Sequence, residues 1–452
     1  MKCEIFPDKE RQTIDGFGVS EAFNKAGGIY RLPLKVREYV LDLLFDAEKG
    51  IGLSIIRNAI GDGGVNSVGW GNAYNGSAET IRPSPDKCYV WEMPEWPEKK
   101  NDFDFQQIWI TREALKRGAK SIMATCWSPP YFMKSNGSVI GDRGAILLKG
   151  YYRDFAEYLA EYILGYQREF GLNITHISPC NEPENITEYP GCQWMPEQLT
   201  EFVRDFLAPV FKEKQIDAKL ALTEYEHWRE NDMVKALLYD EACRKFTDII
   251  AAHAYYADID NLDTFESAKK FHKPLWVSET GEYSFKGESA DSMEAALYLA
   301  RLIQKLHAEA DVCGFLYWWG AADCISQGST LIKLGNSADD AAISVSRRLY
   351  ALGHFSKFIR PGYKRIETRN ECENLYITAY KPSNGESVIA IAVNSDSEPK
   401  VTDFKLAGEY CSGRIRRFVT DEYRNLTEST EMGTKIAIPE KSIVTLILSQ
   451  KT

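Results

Sequence analysis

No run of about 18 apolar residues occurs anywhere in the 452-residue chain, so no transmembrane helix is expected. None of the ten cysteines forms a Cys-x-x-Cys pair, which argues against a thiolate metal site or a thioredoxin-like motif. Cys126, Cys180 and Cys313 sit in apolar runs and read as reduced core thiols. Positive charge is in deficit: 54 Lys and Arg against 65 Asp and Glu leave a net charge of −11. An acidic surface argues against nucleic acid and anionic membranes as partners. The opening residues MKCEIFPDKE hold no apolar signal core, so the expectation is a cytoplasmic protein or one whose leader has been removed. What the chain does have is ordinary for a folded protein, 44% hydrophobic and 26% charged residues, enough for a sizeable core. It is also rich in aromatics, with 10 Trp, 24 Tyr and 21 Phe, which fill cores and build sugar-stacking clefts. The length suggests about three domains, or one large barrel with a smaller companion.

Short β-rich apolar runs alternate with longer helical patterns up to about residue 357. The runs are 14–18, 53–58, 121–126, 175–180, 219–223, 249–254, 274–278 and 313–318. In the stretch 151–170, Phe155, Leu159, Tyr162, Ile163 and Tyr166 recur at helical spacing. These alternations predict a (β/α)8 barrel with enlarged loops. A doubly wound open sheet is the alternative, but no glycine fingerprint follows the first run. After Arg360-Pro361-Gly362 the pattern becomes strict alternation, with Asn384-Gly385 as a hairpin turn. The expected division is therefore a barrel over 13–357 and an antiparallel β-sandwich over 358–452. Residues 1–12 are expected to add a strand to the sandwich. The Gly-, Trp- and Pro-rich segment 61–101 is long enough to predict a functional loop.

Barrel enzymes place reactive side chains at the C-terminal ends of their strands. Those positions hold Arg57, Trp127, Asn181-Glu182, Glu224, His253, Tyr255, Glu279 and Trp318-Trp319. Glu182, in ISPCNEPE, follows the fourth run, and Glu279, in LWVSETG, follows the seventh. These two strands lie almost opposite across a barrel mouth. Two carboxylates facing one cleft suit glycoside hydrolysis, one protonated to donate to the leaving oxygen and one ionised to attack. Arg57 is the expected cation beside the ionised partner, and burial with a nearby negative charge is expected to keep the other protonated. Asn181 is a candidate for binding a sugar 2-hydroxyl. Trp127, Tyr131, Trp318 and Trp319 are candidates for the aromatic walls, although neighbours on a strand should point opposite ways. That alternation would put one of the two tryptophans in the core. His253 taken alone reads as a structural hydrogen-bonding residue.

Seven stretches carry a family resemblance: QTIDGFGVSEAF, LSIIRNAIGDG, ATCWSPPYFMKSNGS, ISPCNEPE, AHAYY, LWVSETG and SRRLYALGHFSKFIRPGY. At these residues the chain resembles glycoside hydrolase family 30. The resemblance implies a (β/α)8 barrel fused to a β-sandwich and a retaining mechanism. It implies Glu182 as acid/base, Glu279 as nucleophile, and Asn181, Trp127 and Tyr255 near the substrate. The SEAF and MKSNGS variants resemble the xylan-active branches most, with β-1,6-glucanases and β-1,6-galactanases of the same family as the alternative. The expected partner is a polysaccharide or oligosaccharide, with no cofactor, no metal and a monomeric chain. A polymeric substrate favours secretion over the cytoplasm.

A different class of enzyme is open to the same residues: Glu182, Glu224, His253 and Glu279 could hold a divalent metal, as in sugar isomerases. Neither Asn-Glu-Pro nor the tail sandwich has a role in that reading. A non-catalytic carbohydrate-binding relative is a third reading, opposed by the presence of both glutamates. The loops 281–291 and 320–342 contain no Arg and are net negative. Strict dependence on a glucuronate branch is therefore not expected, since arginine is the side chain that grips a carboxylate bidentately.

Overall fold

The computed structural model describes all residues except 1, 24, 64–79, 87–88, 92–102, 282–290, 324–327, 336–341, 386, 407–408, 411–413, 434 and 450–452. Most of the long segment 61–101 therefore lies outside the described residues, as do large parts of the loops 281–291 and 320–342. Strand β1 is Lys2–Thr13. The next eight strands are β2 (Gly16–Ser20), β3 (Ile55–Ile60), β4 (Ser121–Cys126), β5 (His176–Ser178), β6 (Lys219–His227), β7 (Ile249–Tyr255), β8 (Leu275–Glu279) and β9 (Val312–Ala322). They pair in parallel in chain order, and β9 closes the ring by pairing with both β8 and β2. Strands of a parallel barrel are covered on both faces and need no polar alternation. IIRNAI of β3 and IIAAHAY of β7 are accordingly buried throughout. Strand packing is tight at Gly18, where a Cβ would lie 2.4 Å from the Ile55 carbonyl oxygen, so a side chain is excluded there.

Three strands differ in length by two or more residues from the runs expected from sequence, the fifth, 219–223, extending to His227. The fourth run, 175–180, shortens to His176–Ser178 because Pro179 cannot donate to a ladder and turns the chain outward. The eighth, 313–318, lengthens to Ala322 because its far end pairs with β10 (Thr330–Leu334), which itself pairs with β11 (Ile343–Val345). The helix Tyr152–Phe170 buries the expected Phe155, Leu159, Tyr162, Ile163 and Tyr166, and stops at Gly171 in the left-handed region (φ 69°).

The remaining strands, β12 (Lys364–Asn370), β13 (Leu375–Lys381), β14 (Ser387–Asn394), β15 (Lys400–Leu406), β16 (Glu409–Tyr410), β17 (Arg414–Thr420), β18 (Thr427–Met432), β19 (Lys435–Ile438) and β20 (Ser442–Ser449), form a second, mostly antiparallel sheet. Its two halves enclose a separate core that includes Ile377, Ala390, Phe404, Ile436 and Leu446. Strand β1 enters this sheet between β12 and β15, so the first residues of the chain and its tail share one layer. The turn at Asn384-Gly385 joins β13 to β14, with Gly385 at φ 72°.

Two barrel helices, Met293–Glu309 and Arg347–Ser356, carry polar side chains into the second sheet. Gln304 donates to the Ile391 carbonyl (2.9 Å), His307 lies 2.8 Å from the Tyr380 hydroxyl, and His354 lies between Thr445 (2.8 Å) and Thr420 (2.9 Å). Burial lowers the pKa of His307 and His354 from 6.5 to about 3, and it does the same for His176 in the barrel. The unfolded chain binds protons between those values that the folded chain refuses. Stability therefore rises with pH across that window, and each group contributes up to ~1.4 kcal/mol per pH unit. Replacing His354 with Gln should flatten the pH dependence of unfolding free energy below pH 6.5 by up to that amount. Chemical denaturation at several pH values checks this; an unchanged slope would contradict it.

Candidate active site

Glu279 is the last residue of β8, and Glu182 sits in the turn just past β5. That turn is held by geometry. Glu182 adopts φ 44°, and its backbone N–H donates to the Glu224 carbonyl at 2.9 Å. Beside Glu279 lies Arg57, in the middle of the second barrel strand and fully buried. Its Nη1 bonds Glu279 Oε2, its Nη2 donates to Asn181 Oδ1 (2.8 Å) and pairs with Glu224 Oε1 (3.0 Å), and its Nε donates to Thr125 (3.1 Å). The face of the guanidinium lies 4.5 Å from the Trp127 ring centre. Tyr255 donates to Glu279 Oε1 at 2.9 Å, so both oxygens of Glu279 are engaged. His253 stands between the carboxylates, with Nδ1 3.0 Å from Glu182 Oε1 and Nε2 3.8 Å from Glu279 Oε2. One oxygen from each glutamate and a nitrogen of His253 lie within 4.8 Å of one another. That places the carboxylates at the short spacing of double displacement, not the ~6.5–9.5 Å that leaves room for an inverting water.

His253 couples the charges of the two carboxylates. Burial opposes a charged His253, but Glu279 and Glu182 outweigh it and hold the imidazole above its usual 6.5. Burial also pushes Glu182 up, yet His253, Tyr189 and Asn185 pull its carboxyl below 4.5. Glu279 lies above 4.5, because burial and the Glu182 charge outweigh His253 and Arg57. His253 is thus held toward its charged form and Glu182 toward its ionised form. The reason is placement: the imidazole Nδ1 faces Glu182, and the Arg57 charge is shared between Glu224 and Glu279.

Glu182, His253 and Glu279 are also a donor set that could hold a metal ion. Here Glu279 already has a permanent counter-charge, because Arg57 is ion-paired to it and to Glu224. The residues therefore fit a fixed organic cation better than a divalent metal.

The aromatic candidates separate. Trp127, Trp318 and Phe23 form one cluster, with Phe23–Trp127 centres 5.3 Å apart and Trp127–Trp318 centres 5.9 Å apart. Trp318 and Trp319 do not point opposite ways. Their rings stack 4.8 Å apart at 25°, because the pairing of β9 with β2 slips at Trp318 and breaks the alternation. Tyr131 stands apart, half-buried, with its ring edge-on to Phe132 at 5.6 Å. The site also includes residues that sequence reasoning missed. The Tyr189 hydroxyl donates to Glu182 Oε2 at 2.6 Å and Asn185 Nδ2 to the same oxygen at 3.4 Å. Both lie in an irregular loop whose sequence has no periodicity to expose them.

The model of O-glycosyl hydrolase family 30 matches residues 1–279, more than half of the chain, and includes both glutamates. The chain belongs to this family. It is a glycoside hydrolase. The glucuronoxylanase XynC of Bacillus subtilis (strain 168) is 26% identical over 361 residues, spanning 78% of this chain and 79% of that protein. An endo-1,6-beta-D-glucanase of Neurospora crassa is 23% identical over 432 residues, spanning 91% and 85%. The catalytic domain of the family 30 xylanase C from Talaromyces cellulolyticus superposes with a TM-score of 0.80 at 25% identity, covering all of both chains.

The proton placement yields a direct test. The His253 pKa, read by nitrogen NMR of the imidazole, should lie above 6.5 in the free enzyme. Glu182→Gln removes one of its two anionic neighbours and should lower it by about one unit, worth ~1.4 kcal/mol. An unaltered value in that variant would contradict the pairing.

Proposed function

We propose that this family 30 enzyme is a retaining β-glycosidase acting on β-1,4-xylan, with Glu279 as nucleophile and Glu182 as acid/base. The observation that carries the mechanism is the close approach of the two carboxylates across His253 at the ends of the fourth and seventh barrel strands. An oxygen of Glu279 attacks the anomeric carbon while Glu182 passes a proton to the departing oxygen. Glu182 first takes that proton from His253 Nδ1. The bond to the leaving group breaks and a glycosyl ester on Glu279 forms. Water then attacks that ester, Glu182 accepts the water's proton, and the β configuration is restored. Arg57 and Tyr255 orient the nucleophile through one oxygen each. Asn181 spends its oxygen on Arg57, which leaves its amide N–H groups to donate to a sugar 2-hydroxyl. Trp127 and Trp318 form the wall beside it, Trp319 supports Trp318 from behind, and Tyr131 serves further out.

Xylan is favoured by the xylanase relatives and by the SEAF and MKSNGS variants. A second reading, β-1,6-glucan, is supported by the Neurospora relative, which aligns along 91% of the chain. The Arg-free loops after the seventh and eighth strands further suggest that hydrolysis does not require a glucuronate branch.

Proton NMR of early hydrolysis should show the β-anomer first; release of the α-anomer from a β-linked substrate would contradict the retaining mechanism. The pH–rate profile should be bell-shaped. Its acid limb should lie above 4.5, where Glu279 ionises, and its alkaline limb above 6.5, where the proton shared by His253 and Glu182 is lost. Glu182→Gln should remove the alkaline limb for substrates with good leaving groups. Persistence of the limb would assign the proton to another group. Rates on glucuronoxylan, linear xylo-oligosaccharides and β-1,6-glucan decide the glycan. A loss of several hundredfold on the undecorated xylan chain would show a uronate clamp.

A further inference from the structure

Lys134 is a second buried cation, outside the network of Arg57 and only 3% exposed. An ammonium has three N–H groups and no acceptor, so its burial is tolerable only where all three find oxygens. Lys134 Nζ donates to the carbonyls of Val139 (2.9 Å), Ile140 (3.0 Å) and Gly191 (2.5 Å). The first two belong to its own loop, which follows β4. The third belongs to the loop after β5, the one that carries Glu182, Asn185 and Tyr189. The two loops meet along a seam. The Gly141 N–H donates to the Tyr189 carbonyl (3.1 Å), the Gly191 N–H to the Val139 carbonyl (3.0 Å) and the Thr187 N–H to the Gly141 carbonyl (3.2 Å). Thr187 Oγ1 adds a second donor to the Tyr189 carbonyl, at 2.9 Å. The seam has no room for further side chains: a Cβ on Gly141 or Gly191 would lie 2.2 or 2.4 Å from Thr187 Oγ1.

The backbone of Tyr189 is therefore pinned by its own carbonyl and by the residues on either side of it. From that anchor its ring packs against the Trp127–Trp318 cluster and its hydroxyl donates to Glu182 Oε2 at 2.6 Å. A donor aimed at an ionised carboxylate stabilises that form, and it does so only while the donor stays in place. We propose that Lys134 and Thr187 are positioning residues for the acid/base, clamping the two loops together so that the Tyr189 hydroxyl stays on Glu182. The inference rests on the reading of Glu182 as acid/base and extends it to the loop seam that sets the partner of its carboxylate.

The test reads the His253 pKa by nitrogen NMR and the alkaline limb of kcat/KM. Facing His253 are Glu182, Glu279 of β8, Arg57 of β3 and Tyr255 of its own strand, with Glu184 near Glu182 on the same turn. Around Lys134 stand Asp62, Asp142, Cys126 and Cys192. Tyr189→Phe leaves all of these in place and removes one donor from Glu182. The carboxylate becomes more basic, so the His253 pKa and the limb should both rise by about half a unit. Lys134→Met keeps the stem, loses the N–H groups and should give the same rise. Thr187→Val changes no charge and should give a smaller one. Loss of the Lys134 charge would by itself also raise the His253 pKa, and double variants separate the two causes. Acting through Tyr189, Lys134→Met adds nothing to Tyr189→Phe; acting through its field, it adds its full shift. Additive shifts, or no shift in Lys134→Met and Thr187→Val, would overturn the proposal. If Lys134→Met does not fold, Thr187→Val alone and combined with Tyr189→Phe decides by the same rule. Glu182→Gln tests the underlying reading separately. An alkaline limb unchanged in that variant removes Glu182 as the acid, while the NMR comparison still decides the clamp.

Discussion

A guanidinium with no access to water must be surrounded by anions and acceptors, and at Arg57 that requirement organises the mouth of the barrel. Arg57 projects from the second strand and meets Glu279 from the seventh, Glu224 from the fifth, Asn181 from the fourth and Thr125 from the third. A buried ion network of this kind contributes little net stability, but losing one member strands the others at a cost of about 3–5 kcal/mol. What the network supplies is position. It fixes the Glu279 carboxylate, turns the Asn181 amide outward and holds Trp127 against a flat cation. The opposite carboxylate is held by weaker, neutral donors, Tyr189 and Asn185, and by one titratable group, His253. One glutamate is thus locked by a permanent charge and the other is coupled to a proton. That asymmetry suits a nucleophile and an acid/base.

The barrel was legible in the sequence because each strand is a short apolar run buried on both faces, and each is separated from the next by a helical period. Glu182 and Glu279 were legible because they stop such runs abruptly, in NEP and SET. Asn181, His253 and Tyr255 lie at or near strand ends and Arg57 lies mid-strand, and the structure brings all of them to one centre. Tyr189 was not legible, because its approach to Glu182 depends on a loop path that no periodicity encodes. The stacking of Trp318 on Trp319 was misread for a related reason: a one-residue slip in strand pairing cancels the alternation on which the reading relied. Sequence order also does not show which carboxylate the imidazole faces.

The two sides of the centre differ in character. Around Arg57 the walls are indole rings, close-packed and nearly free of carboxylates beyond those of the ion network. The cavities lined by residues that follow the fourth, fifth and sixth strands are more polar, with tyrosine, histidine and acidic side chains. The second sheet is tied to the barrel by buried histidines and Gln304 on helices Met293–Glu309 and Arg347–Ser356. These contacts give it a structural part in the whole without bringing it into the centre.

The central claim is that Glu279 is the residue that bonds to the sugar. A 2-deoxy-2-fluoro glycoside with a good leaving group slows both steps, breakdown of the intermediate most of all, so the ester accumulates. Peptide mass spectrometry of the inactivated enzyme should find one fluorosugar per chain, attached to Glu279 in the LWVSETG stretch. Attachment to Glu182, or turnover with inversion and no adduct, would contradict the account.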